Sequence, residues 1–503
     1  MAKHRNDGNC GWWHARRPVR LLLVSAAALI ISTPAVLAQA MNRGPNINNI
    51  NVGPRGPNIN ISPSISPTVR YSPNLNSDDE SIRTQSRTRL TQSSSPQGQA
   101  SGDGSVRKAK KNAPAANDQR FVAKEVLIEV DGNPSNAEAD AIARRHRLTR
   151  VQSQNFPLVG STMYRWRISD SRSVSAVIRE LVADNVIKSA QPNYRFTLQQ
   201  QVVAPTEGDP AQYALSRLRL PEAHTLAKGD NVTIAVIDSG IDVSHPELAG
   251  VIDGTYDALG SNEGPHVHGT GIAGVIASHS RLMGSSPSAS LLAIRAFGVS
   301  GSSAESTSFV IIKSIDYAVS RGARIINMSF AGPEDPLIGK VLAAAAAKGV
   351  VLVAASGNAG PKSPPLFPAA DRNVIAVSAT DASDKLFPAS NRGRHIAIAA
   401  PGVDILTPAP DGKYQVTSGT SFSAAYISGL IALMIERNPA LTPDDVRSIL
   451  TKTAQDLGTP GRDDMFGAGK ADAFNAVTAA GAPVATASGR PAATTGASPS
   501  TPR

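Results

Sequence analysis

Residues 232–242 read Val-Thr-Ile-Ala-Val-Ile-Asp-Ser-Gly-Ile-Asp. The run Val232–Ile237 is apolar and β-branched, the composition of a strand buried on both faces, and it ends abruptly in Asp-Ser-Gly, a turn. Runs of the same kind recur at Leu291–Arg295, Arg324–Met328, Val350–Ala355 and Val374–Ser378. Between them the apolar spacing turns helical, at about 268–278, 306–320 and 337–348. Two more helices follow, Ser421–Arg437 and one opened by Thr442-Pro443-Asp444-Asp445, an N-cap with Pro in the first turn. Alternating strands and helices predict an α/β fold, a doubly wound and mostly parallel sheet, over residues 205–478. Such sheets hold ligands at the carboxyl ends of their strands. The residues just past each strand are therefore the ones to inspect.

Four of them carry chemistry. Asp238 closes the first strand; His268 opens His-Gly-Thr-Gly-Ile-Ala-Gly at a helix start; Asn358 lies in Ala-Ser-Gly-Asn-Ala-Gly after a strand; Ser421 follows Gly419-Thr420 before a long apolar run. Singly, each reads as a turn residue or a helix cap. Together they supply what acyl transfer needs. A serine hydroxyl is a weak nucleophile until a base takes its proton, and a histidine does so at neutral pH. A carboxylate holds that imidazole in one tautomer and stabilises its charged form. An asparagine amide and the backbone N–H at a helix start can donate to the oxyanion that forms.

These stretches resemble known motifs. Val236-Ile237-Asp238-Ser239-Gly240-Ile241, with His245-Pro246 after it, is similar to the aspartate motif of subtilisin-like serine proteases, the subtilases. His268 to Gly274 is similar to their histidine motif, and Gly419-Thr420-Ser421 to their serine motif, in the same order Asp, His, Ser. The resemblance implies a serine-type endopeptidase with Asp238, His268 and Ser421 as its triad and Asn358 in the oxyanion hole. It also implies that Ser329, Phe330, Ala331 and Gly332 line the strand that pairs with an extended protein or peptide substrate.

Three positions depart from the family pattern. Ala425 stands where a proline usually follows the serine, and alanine is the better helix former. Ala331 replaces a common glycine beside the substrate strand, which narrows the pocket there. Between Ile276 and Ser290 the chain is short and lacks the Asn-rich loop with which bacterial subtilisins bind calcium. No cofactor is therefore certain; calcium stays open, with Asp242, Asp253 and Asp257 as the acids available and surface acids as the plainer reading. His266-Val267-His268 also fits a zinc pair, although the Gly-Thr-Gly after His268 favours the serine reading.

Outward from this domain the chain changes character. Residues 121–200 read β-α-β-β-α-β: strands at Val122–Val130, Arg150–Gln154, Met163–Ile168 and Val186–Phe196, helices at Ser135–Arg147 and Val174–Asp184. By resemblance this small α+β domain is the family's propeptide, folding aid and inhibitor. Its last strand, near Tyr194–Gln200, would run to the active site, with self-cleavage between about 196 and 211. Residues 41–120, where Gly-Pro-Asn-Ile-Asn occurs at 44–48 and again at 56–60, are too poor in large apolar residues to fold. Residues 1–40, with basic residues ahead of the apolar run Leu21–Ile31 and small residues near 36–40, read as a signal peptide, which places the protein in the periplasm or outside the cell. The Ala/Pro/Ser/Thr-rich residues 479–503 read as a disordered tail.

Charge excludes one function class. The formal net charge is +10, and residues 1–120 carry all of it; from 121 onward acids and bases cancel, so the folded part has no net field for a nucleic acid. The lone cysteine, Cys10, lies in the leader. No stretch beyond the leader is long and apolar enough to span a membrane. Three rivals to a general endopeptidase stand: a subtilase-fold protein that cleaves only itself and acts at a surface, a metallohydrolase built on His266 and His268, and a non-enzymatic α/β module. The last lacks the glycine-rich phosphate loop expected after its first strand.

Overall fold

A computed structural model describes residues 118–199, 212–300 and 303–481. The expected leader, nearly all of the 41–120 arm, residues 200–211 and the chain past 481 lie outside the described residues.

The first elements are β1 (Phe121–Asp131), α1 (Asn136–His146), β2 (Leu148–Phe156), β3 (Ser161–Ile168), α2 (Val174–Val182) and β4 (Ser189–Leu198). This is the β-α-β-β-α-β order expected of residues 121–200. Helix α1 begins at a capping box, in which Ser135 and Glu138 satisfy each other's backbone N–H groups, and ends at Arg147 in the left-handed conformation. Val126, Ile128, Tyr164 and Trp166 pack on Val177, Ile178 and Leu181 of α2. Strand β4 starts three residues later than the expected Val186, because Asp184 folds the chain into a turn through the N–H groups of Val186 and Ile187.

The larger domain continues with α3 (Tyr213–Arg217), α4 (Leu220–Ala223), β5 (Thr233–Asp238), β6 (Ile252–Asp257), α5 (Val267–Ala277), β7 (Ser290–Arg295), β8 (Gly298–Ser300), β9 (Ser303–Thr307), α6 (Ser308–Ser320), β10 (Ile325–Met328), β11 (Phe330–Ala331), α7 (Pro336–Ala347), β12 (Val351–Ala355), β13 (Val374–Thr380), β14 (Ile396–Pro401), β15 (Ile405–Ala409), β16 (Lys413–Thr417), α8 (Thr420–Arg437), α9 (Pro443–Thr453) and α10 (Ala473–Ala480). Its main sheet has the order β14-β13-β12-β10-β5-β7-β6, and every pairing in it is parallel. From β5 the chain fills one half of the sheet and from β10 the other. The switch point falls between them, at the carboxyl ends marked by Asp238 and Met328.

Side chains of β5 alternate between two cores. Ile234 and Val236 face one side with Phe422, Ile427 and Leu430 of α8; Ala235 and Ile237 face the other with Ile311, Ile315 and Leu342 of α6 and α7. Helix α8 is buried from Thr420 through Ile435, which is why its sequence is apolar all round.

Several elements differ from the sequence expectations. Helix α6 begins at Ser308, not 306, because Glu305, Ser306 and Thr307 pair with β4 as a strand. Strands β6 and β14 and the β15–β16 hairpin go beyond the expected set. β6 contains Asp253 and Gly254, polar and breaker residues that hide a strand. Helix α10 runs to Ala480, so the ordered domain passes the expected boundary at 478. Among the described residues no helix is long and apolar enough to cross a membrane.

Candidate active site

Asp238 is the last residue of β5, at the switch point, and is fully buried. Its Oδ1 accepts from the backbone N–H of Ser239 at 2.7 Å and from the Ser239 hydroxyl at 3.0 Å. The same oxygen accepts from Nδ1 of the fully buried His268 at 2.7 Å. Nδ1 therefore carries the proton, leaving the second ring nitrogen, Nε2, as the basic one. That Nε2 is buried and has no protein partner.

Ser421 enters at the start of α8, also fully buried. Its hydroxyl makes no hydrogen bond to His268: it donates to the backbone carbonyl of Gln199 and lies 3.2 Å from the carbonyl of Ser329. The geometry thus brings Asp238 and His268 together and sets Ser421 against the end of β4.

Asn358 follows β12. The carboxamide oxygen accepts from Thr420 twice, from its N–H at 3.1 Å and its hydroxyl at 2.9 Å. That fixes which end of the carboxamide faces the site: Nδ2 is buried and has no protein partner. A donor held this way lacks only an acceptor. Gly357 before it has φ +109°, and a Cβ there would lie 2.4 Å from Asn391 Nδ2, so only glycine allows the loop to close on Asn391. Asn391 in turn accepts from Ala359 N–H.

Ser329 to Gly332 run as a rail beside the end of β4. Phe330 and Ala331 pair antiparallel with Leu198 and Thr197, and Gln199 N–H donates to Ser329 O at 3.2 Å. A second rail lies opposite, where Arg195, Phe196 and Thr197 pair with Thr307, Ser306 and Glu305. Residues 195–199 are thus a middle strand that delivers the Gln199 carbonyl to Ser421. The Phe330 side chain turns inward, its ring 6.1 Å edge-on from Phe196 and 5.0 Å from Phe297. Gly332 leaves room for Phe196: a Cβ at 332 would fall 2.3 Å from the Phe196 ring.

β4 is anchored further back. Gln191 donates to Asp335 Oδ1 at 2.8 Å and accepts from Leu337 N–H at 3.1 Å, so it caps α7 from outside the larger domain. Burial pushes the Asp335 carboxyl above the ordinary aspartate range against the pull of Ile338 N–H and Gln191. Tyr194 N–H donates to Ser308 Oγ at 2.9 Å. The buried Glu129 receives Ser161 and Ser189 from its own domain and Lys340 from α7.

The acids named for calcium do not converge. The Asp242 carboxylate takes Ser244 N–H and Oγ and Asp411 N–H, while Asp257 takes Gly260 and Asn262 N–H. Asp253 is exposed on β6. The short 278–284 segment is held instead by the buried Glu247, whose oxygens accept from the N–H groups of Ser280, Arg281 and Leu282 and from the Tyr414 hydroxyl. These lone pairs already serve N–H and O–H donors, a poor fit to a hard cation. His266 does not pair with His268 as a metal ligand would; its Nδ1 accepts from the His268 backbone N–H.

The stretch near Tyr194–Gln200 is expected from sequence to run to the active site, without Gln199 being singled out; two participants escape the sequence altogether, Thr420 orienting Asn358 and the β9 rail. Only the Thr420 hydroxyl beside Ser421 had a local signal.

An Asp–His pair and a buried serine at the switch point of a doubly wound parallel sheet define a subtilisin-like α/β protein. Comparison with known proteins agrees. The Subtilase family model matches residues 229–469. Thermitase from Thermoactinomyces vulgaris is 32% identical over 258 residues, 50% of this chain and 90% of that protein. Subtilisin E from Bacillus subtilis (strain 168) is 36% identical over 258 residues, 49% of this chain; the chain spans 66% of that relative's length. The thermophilic serine proteinase of Bacillus sp. (strain AK1) is 31% identical over 354 residues, 68% of this chain and 84% of that one. The crystal structure of fervidolysin from Fervidobacterium pennivorans, a keratinolytic enzyme related to subtilisin, superposes with a TM-score of 0.62 at 24% identity, over 72% of this chain and 62% of that one. The chain belongs to the subtilase family.

Proposed function

We propose that the protein is an exported serine endopeptidase, made as a precursor that cuts itself after Gln199 and is then held inactive by residues 121–199. The observation that carries this reading is the Gln199 carbonyl, seated on the Ser421 hydroxyl by a strand paired on both edges. That carbonyl belongs to the bond that would break.

In the reaction, Ser421 Oγ turns to His268 Nε2, gives it the proton and attacks the carbonyl carbon. Asp238 keeps Nδ1 protonated and stabilises the imidazolium. The oxyanion takes its donors from Asn358 Nδ2 and the Ser421 N–H. The imidazolium then protonates the departing amine, Gln200 in the precursor, and water hydrolyses the ester by the same proton route. Protein and peptide substrates would occupy the Ser329–Gly332 rail in place of 196–199. The basic start and the apolar run Leu21–Ile31 support export to the periplasm or beyond.

Residues 41–503 as wild type and as Ser421→Ala test this, with chain length followed on a gel, fragment ends by mass spectrometry, and casein hydrolysis. Wild type should yield a fragment ending at Gln199 and digest casein, while Ser421→Ala stays whole and inert. Equal splitting and digestion by both would remove Ser421 as nucleophile. Splitting without casein hydrolysis would favour a protein that processes only itself.

A further inference from the structure

His266 is a second histidine at the site, and nothing in the acyl-transfer scheme uses it. It is the N-cap of α5, the helix that carries His268, and its Nδ1 accepts the His268 backbone N–H at 3.2 Å. The ring is therefore neutral at Nδ1, with its hydrogen on Nε2. The same Nδ1 lies 3.1 Å from the Ser239 hydroxyl, which itself lies 3.0 Å from Asp238 Oδ1 and accepts from Gly269 N–H at 3.1 Å. One hydroxyl proton thus faces two acceptors, Asp238 and His266. The backbone of His266 is tied in as well, its N–H donating to Gly240 O at 2.8 Å.

A proton arriving at His266 must bind Nδ1, the atom already in use. Three consequences follow together. The α5 cap loses its acceptor, so the His268 N–H is left unpaired. Nδ1 becomes a donor to Ser239. A positive charge appears beside the imidazole that must itself become positive during attack, which raises the barrier. The charged and titratable groups facing the His266 ring are His268, Asp238 and Glu263, with the Arg295 guanidinium beyond Gly240. Burial first, then His268, holds the ring below the usual imidazole range, while Asp238 and Glu263 pull the other way. The ring is accordingly neutral at working pH and takes its proton only in acid.

We infer that His266 is a positioning residue whose neutral Nδ1 sets the helix of His268 and the hydroxyl of Ser239, and whose protonation shuts the site off in acid. The inference rests on the peptidase reading above.

The test is the pH dependence of kcat/KM for the processed enzyme, with a peptide substrate that does not titrate. In wild type, log kcat/KM should fall on the acid side with a slope approaching two, one proton at each histidine. His266→Asn keeps a capping oxygen and removes the titration, so its acid limb should have a slope of one. His266→Ala should lose about fivefold to tenfold in kcat/KM at neutral pH, where wild type has its cap, the order of one lost cap, and His266→Asn should recover most of it. A slope of one throughout in wild type overturns the inference without any variant. So does an acid limb that His266→Asn leaves as steep as before. If Ser421→Ala is as active as wild type, the nucleophile itself is wrong and the inference falls with it.

Discussion

The hydroxyl of Ser421 donates to the backbone carbonyl of Gln199, 222 positions earlier in the chain. The strand that brings Gln199 there is held by backbone pairing to both rails, so its side chains are free to choose pockets. Within residues 195–199 only Phe196 is buried.

Phe196 should therefore set the fit of the precursor strand. Phe196→Ala removes a ring packed edge-on against Phe330, a loss on the order of 3 kcal/mol, and should slow self-cleavage about a hundredfold. Gly332→Ala should do similar harm by clashing with the same ring. In the double variant the Gly332→Ala penalty should largely vanish, since the ring it meets is gone. Rates of fragment release by gel densitometry decide this; full additivity would place Phe196 elsewhere.

Asn358→Ala should lower kcat for a peptide substrate by 10²- to 10³-fold, about 3–4 kcal/mol, as removal of the oxyanion asparagine does in a subtilisin. KM should change little, because the Nδ2 donor has no ground-state partner here. Steady-state kinetics on the processed enzyme check it. A rise in KM with unchanged kcat would make Asn358 a binding residue instead.

Asp335 should tie the docking of residues 121–199 to pH. Its carboxyl is pushed up in the docked state, by burial first. A raised value favours the protonated form, so the docking contribution is complete below the ordinary aspartate value of 3.8 and is lost as pH rises through the raised one. The cleaved 121–199 fragment should leave faster as pH rises across that window. Asp335→Asn mimics the protonated acid and should flatten the dependence. Recovery of casein activity after processing, followed from pH 4 to 8, would show it; an unaltered pH profile in the variant counts against Asp335.

Chelation should leave the processed enzyme's thermal half-life unchanged, because the 278–284 segment hangs on Glu247 and not on a cation. Glu247→Gln should shorten that half-life markedly, since a carboxamide offers one acceptor where four donors converge, a cost of about 2–3 kcal/mol at neutral pH. Burial raises the Glu247 carboxyl, but Tyr414 and the Arg281, Ser280 and Leu282 N–H groups outweigh it and hold the value below 4.5. A depressed value means stability present above 4.5 and lost as pH falls through the lowered one. The gap between wild type and Glu247→Gln should accordingly close in acid. A half-life that collapses in chelator would restore a structural metal.

Much of this molecule is written locally. Runs such as Val232–Ile237 and Val351–Ala355 are apolar on both faces because both faces are covered, and burial of that kind leaves a contiguous signature in sequence. The caps at Ser135 and Thr442 are equally local, each set by a residue three positions on. The motifs around Asp238, His268 and Ser421 could be read because each sits within a few residues of a strand end or helix start. What the motifs could not supply is how the site is arranged. Strands such as β6 and β9, with Asp253 or Glu305 in them, exist because a neighbour pairs with their backbone, and backbone pairing leaves little trace in side-chain type. The seating of Gln199 on Ser421, the choice of which end of the Asn358 carboxamide stays free and the capping of His268 by His266 join residues through hydrogen bonds whose partners only the folded chain brings within 3 Å or so of one another. Sequence determined the elements and the chemical inventory, since these follow from periodicity and residue type. Tertiary structure decided which atoms face which, since that depends on distances no local pattern encodes.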